Sequence, residues 1–64
     1  MRFIITEINF DTDNNSELND FLKEKRIGTC FEFNSYFDAT MYAADAISDE
    51  DGYCVESLKF KEVL

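Results

Sequence analysis

The stretch RFIITEINF, residues 2 to 10, constrains the chain most, because as a strand it is apolar on two faces at its start. A side-chain period of two puts Ile4, Thr6, Ile8 and Phe10 on one side and Phe3, Ile5, Glu7 and Asn9 on the other. The first set reads as the buried face. The second is apolar only at Phe3 and Ile5, so a covering layer or a partner has to reach that end.

Turn formers follow in DTDNN, and SELNDFLKEKRIG then changes period. Leu18, Phe21 and Leu22 fall at helical spacing, with Lys25 able to lay its stem along the same side. Asn14 and Glu17 read as a capping pair, Lys23, Lys25 and Arg26 suit the negative C-terminal end, and Gly28 stops the helix. TCFEFN alternates again, with Thr29, Phe31 and Phe33 opposite Cys30, Glu32 and Asn34. Ser35 is the next N-cap, with Asp38 in the reciprocal position, and a second helix is expected from Tyr36 to Ser48. Its apolar stripe reads as Phe37, Thr40, Met41, Ala44 and Ile47. After DEDG, the segment YCVESLKFKEVL returns to strand alternation.

The order is β-α-β-α-β, which predicts a small two-layer α/β or α+β sandwich: one domain, residues 1–64, with a three-stranded sheet and two helices. If strands two and three are neighbours, their helical connection predicts a parallel, right-handed crossover. So short a chain hardly covers both sheet faces. Part of one face, or a strand edge, is expected to be exposed or paired with another subunit.

Seven phenylalanines, three tyrosines and no proline belong to a folded domain, not to a disordered acidic tail. A single small core supplies roughly 3 to 5 kcal/mol, so a disulfide, a metal or a partner chain is a reasonable further support. Cys30 and Cys54 are the only cysteines. The opening MRFIITEINF has no secretory cleavage pattern, so the expected location is the cytoplasm, where thiols stay reduced. Without histidine, two cysteines are half of a zinc site. A partner chain is the support that survives best. Fourteen acidic residues against six basic give a charge of -8, which repels phosphates. Direct contact with nucleic acid or an anionic membrane is therefore not expected. A basic protein partner, a cation or plain solubility remains.

The loop DTDNNSE sets Asp11, Asp13, Asn15 and Glu17 at alternating positions, like the front of a calcium loop. The glycine such a loop needs at its sharp turn is Ser16, and the closing glutamate is Leu22, so this is a weak metal candidate. Catalytic material is thin: no histidine, cysteines inside strands where they read as buried or half-buried structural residues, and no glycine-rich phosphate loop. The chain reads as non-enzymatic and without a cofactor. What stands out is Asp38, Tyr42, Asp45 and Asp49, spaced four, three and four apart along the second helix, with Glu50 and Asp51 beyond. Stacked acids repel one another, and acids at a helix C-terminus oppose its dipole. A local cost without a folding benefit points to a binding surface.

The second half, CFEFNSYFDATMYAADAISDEDGYCVESLKF, covers residues 30 to 60 and joins a strand, an alanine-rich acidic helix and a return strand. In layout it resembles the small bacteriophage proteins that inhibit host RNA polymerase, and its close, ISDEDGYCVESLKF, is similar to the ends of small phage and bacterial proteins. The resemblance implies a phage-type, non-enzymatic protein whose acids engage the basic surface of a host machine. It transfers no individual binding residue, and the helix of SELNDFLKEKRIG departs from it. The leading reading is an acidic protein-binding module that docks Asp38, Tyr42, Asp45, Asp49, Glu50 and Asp51 on a basic nucleic-acid-handling protein, in effect mimicking phosphate. The alternatives are a structural homodimer whose acids serve solubility, and a calcium-stabilised module.

Overall fold

The computed structural model describes all residues from Met1 to Leu64. It contains β1 (Arg2–Phe10), α1 (Ser16–Arg26), β2 (Cys30–Glu32), α2 (Tyr36–Asp51) and β3 (Val55–Val63). The order is β-α-β-α-β, as the sequence predicts. The sheet runs β2-β1-β3, and both pairings are antiparallel. β2 and β3 therefore point the same way but are not neighbours, so the condition for a parallel pair is not met, although their Phe31 and Phe60 rings meet over β1 at 5.3 Å. β1, the most apolar strand, lies between them. In the centre it is paired along both edges, and its apolar side chains meet both helices.

The buried face of β1 is Phe3, Ile5, Ile8 and Phe10, each no more than 2% exposed. This corrects the simple alternation, and the cause is a bulge. Ile5 pairs with Phe60 and Glu7 with Lys59, which leaves Thr6 without a partner. One extra residue resets the two-residue period, so the buried positions before and after Thr6 fall on the same face. Thr6 is exposed and Ile4 half-buried, and the Thr6 hydroxyl donates to the Lys59 carbonyl across the irregularity (3.2 Å). A second register shift follows where Asn9 pairs with Ser57 and Phe10 with Val55, making Glu56 the extra residue on β3.

Both helices cover this one face. α1 starts at Asn15, not Asn14: the Asn15 side-chain oxygen accepts from the Leu18 N–H (3.1 Å), while Asp13 and Asn14 take left-handed turn conformations. Leu22 is buried and Leu18 partly buried, but Phe21 is 65% exposed. The side of α1 that meets β1 is thus narrower than the expected Leu18, Phe21 and Leu22 stripe. On α2 the Ser35 hydroxyl accepts from the Asp38 N–H (3.1 Å), as expected of the cap. The helix runs to Asp51, beyond the expected Ser48, and closes on Gly52 in the left-handed region (φ 79°), whose N–H donates to the Ser48 carbonyl (2.9 Å).

The inward side of α2 differs from the expected one. Ala39, Ala43 and Ile47 are buried, whereas Phe37 is 69% and Met41 53% exposed, Thr40 is exposed and Ala44 is half-buried. The volume of the interior comes from the sheet. Phe3 lies 5.6 Å from Phe31, 5.4 Å from Phe60 and 6.0 Å from Tyr36, measured between ring centroids. With so much aromatic bulk beneath it, the helix can approach only through small side chains. The rest of the core is Ile5, Ile8, Phe10, Leu22 and Ile47, edged by Leu18, Phe31, Val55 and Leu58.

The far face of the sheet has no covering layer and is built for water. Arg2 meets Glu32 and Lys59 meets Glu7, each at 3.4 Å, and the Asn9 amide donates to the Ser57 hydroxyl at 3.0 Å. These are cross-strand pairs dictated by the register, and they take the positions that a core shared between two sheets would fill with apolar residues. No helix is long and apolar enough to cross a membrane.

Candidate functional site

Because Ala39, Ala43 and Ile47 point inward, the opposite side of α2 is set by helical period, and it gathers the unusual residues of the sequence. Phe37 and Met41 stand one turn apart on one flank of it, and Tyr42, 54% exposed, stands on the other. Asp45 and Asp49 are exposed and Asp38 is half-buried. None of these three carboxylates lies within ion-pair distance of a basic side chain. The result is an exposed face in which uncompensated negative charge runs between Phe37 and Met41 on one flank and Tyr42 on the other.

Phe37 and Met41 were not legible as part of this face, because a helical wheel places them in an equally plausible apolar stripe. The signal that separates the two is side-chain size. Ala39, Ala43 and Ala46 with Ile47 make a low-relief side suited to close approach over an aromatic-rich sheet. Tyr36, also 54% exposed, belongs elsewhere: its ring packs 6.0 Å from Phe3 and 5.4 Å from Phe60.

The two acids at the end of α2 have other company. Asp51 is not on the outward face, for its side chain is fully buried. Arg26 grips it with two bonds, Nε donating to Oδ2 at 2.8 Å and Nη2 to Oδ1 at 2.7 Å, and Lys25 Nζ adds one at 3.3 Å. The Arg26 hydrogen bond holds the Asp51 carboxyl below the usual aspartate range against the opposing effect of burial, with Lys25 assisting. The same hydrogen bond raises Arg26 above its ordinary value. Glu50 is 72% exposed, with an oxygen 3.4 Å from Arg26 Nη2. The acids that oppose the helix dipole are therefore offset by the C-terminal cations of α1, and this pair locks the two helix ends together.

The DTDNNSE loop does not gather its oxygens around a common point, and no group of three or more acidic or thiol side chains is placed to hold a metal. Asn15 is committed to the helix cap, and Asp11 Oδ1 accepts from the Asp13 N–H at 3.4 Å. Cys30 and Cys54 are free thiols, and both are exposed, not buried or half-buried as their strand positions predict. Cys30 opens the edge strand β2, and Cys54 precedes β3. Comparison with known proteins returns no match: no family model, no curated protein and no solved structure is significantly similar to this chain.

Proposed function

We propose that this chain is a small, non-enzymatic protein-binding module that docks the outward face of α2 on a basic surface of a nucleic-acid-handling protein, in the manner of a phage-type inhibitor or accessory protein. One observation carries the reading: Phe37, Met41 and Tyr42 are exposed together on the same helix side as Asp38, Asp45 and Asp49, which have no cation of their own. Acids alone are compatible with solubility. Three large apolar side chains set among them cost solubility, and they match an anchor with a charged surround. The acids steer the encounter with a cationic partner, and the apolar side chains flanking them supply area to bury.

The test is capture of partners from a host lysate at low and high salt. Wild type is expected to retain a cationic partner at low salt and to lose most of it at high salt, since exposed charges are screened over about 8 to 10 Å at physiological ionic strength. The double substitution Tyr42→Ala, Asp45→Lys is expected to lose that partner even at low salt. Equal retention by this variant overturns the assignment of the face.

A further inference from the structure

The nine-residue strand β3 has β1 on one side and no strand on the other, so its outer edge is free. We infer that Lys59 and Lys61 close this edge to a second copy of the chain and so keep the chain a monomer. The opposite edge, β2, is only three residues long, and a short edge strand is itself a safeguard against pairing.

The backbone groups of β3 that could accept a further strand are fixed by the pairing inside the sheet. Met1 and Phe33 exchange both hydrogen bonds, the Phe33 N–H donating to the Met1 carbonyl (3.1 Å) and the Met1 amine to the Phe33 carbonyl (2.9 Å), and the Ile5 N–H donates to the Thr29 carbonyl (3.0 Å). Bonded and non-bonded pairs alternate in an antiparallel ladder, so Arg2 and Ile4 turn the other way, toward Val63 and Lys61. The Lys59 carbonyl also points inward, where it accepts from the Thr6 hydroxyl (3.2 Å). Leu58, Phe60 and Glu62 are left to present N–H and C=O groups outward. The side chains of Leu58 and Phe60 are half-buried on the helix face, while Lys59 and Lys61 are exposed on the uncovered face.

A second copy that adds to this edge about a two-fold axis runs antiparallel and pairs its own outward residues with these. Three registers form at least two such pairs. Phe60 opposite Leu58 of the second copy sets Lys59 against Lys59. Phe60 opposite Phe60 sets Lys59 against Lys61, and Phe60 opposite Glu62 sets Lys61 against Lys61. Every register therefore places like charges at non-bonded positions, where facing side chains are closest. The second and third also lay Glu62 against Leu58 or Phe60. Lys61 has no acid within ion-pair distance, and Lys59 has only the 3.4 Å contact with Glu7, both groups more than half exposed. Without the lysines the edge is attractive, because Tyr36, Ala44, Leu58 and Phe60 line an open groove between α2 and β3 that a further strand would border.

The test is Lys59→Thr, Lys61→Thr, followed by sedimentation and amide hydrogen exchange of the whole chain at physiological salt. Wild type is expected to sediment as a monomer at about 0.5 mM, and the variant to associate at least about tenfold more tightly into a dimer. Exchange at Leu58, Phe60 and Glu62 of the variant is expected to slow as its concentration rises. The direction is diagnostic: losing two cations takes the net charge from -8 to -10, which by itself weakens self-association. Lys59→Gln, Lys61→Gln, which keeps the aliphatic stems, is expected to associate like the threonine variant, and Lys59→Arg, Lys61→Arg to stay monomeric, each with the far-UV circular dichroism of wild type. The inference is overturned if wild type dimerises with protection at Leu58, Phe60 and Glu62, if neither uncharged variant associates, or if their protection falls outside β3.

Discussion

Phe3→Ala is expected to leave the chain mostly unfolded at 37 °C. Phe3 is fully buried and is the hub of the aromatic half of the core, within centroid distances of 5.4 to 6.0 Å of Phe31, Tyr36 and Phe60. Truncating a buried phenylalanine costs about 3 to 5 kcal/mol, and a core of this size supplies about as much in total. Relaxation does little to help, because the residues above the ring are on a helix whose inward side is already alanine. Phe3→Leu keeps most of the volume and is expected to cost less than half as much. Urea unfolding followed by far-UV circular dichroism separates the two: a Phe3→Ala variant as stable as wild type would refute this account of the core.

Asp51→Ala is expected to cost about 2 to 3 kcal/mol, the largest effect of any acidic residue in the chain. The side chain is sealed, and its removal leaves the Arg26 guanidinium, only 15% exposed, with the looser Glu50 contact alone. The effect is also expected to depend on pH in one direction. Because Arg26 keeps the folded Asp51 carboxyl below its ordinary range, its contribution is fully present above about pH 4, the unfolded value. Below that the unfolded chain takes up the proton first, and the contribution fades as pH falls through the lowered folded value. The stability difference between wild type and Asp51→Asn should therefore shrink from pH 7 to pH 3. By contrast, Asp45→Asn, on the exposed face, should change stability by less than about 0.5 kcal/mol. Equal costs for the two substitutions at pH 7 would mean that the buried pair holds nothing together.

These two residues also show what was legible in the sequence. Element order, the Ser35 cap, the Gly52 stop and the two-layer plan follow from local chemistry and are present, while α1 closes on Ile27, one residue before the expected Gly28. What was not legible depends on partners distant in sequence. The bulge at Thr6 exists because β3 pairs with β1 at that register, and it puts Phe3 and Ile5 inside in place of Ile4 and Thr6 while Ile8 and Phe10 stay buried. The inward side of α2 is decided by the phenylalanines of all three strands, which no wheel drawn for α2 alone contains. Asp51 read as part of the partner-binding surface, because its own partner Arg26 belongs to the other helix and is 25 residues away. The same errors hid the best surface: once Phe37 and Met41 are assigned to the core, Tyr42 is the only apolar group left among the acids.

The central claim is that the outward side of α2 is a docking face, acidic along its middle and apolar on both flanks. The most direct measurement is an amide and methyl NMR titration of the whole chain with a synthetic amphipathic leucine-lysine helix. The account predicts shifts at Phe37, Asp38, Met41, Tyr42 and Asp45, with an affinity that falls steeply as salt rises and is lost in the Tyr42→Ala, Asp45→Lys variant. Shifts confined to the uncovered sheet face, or binding indifferent to both salt and that double substitution, would contradict it.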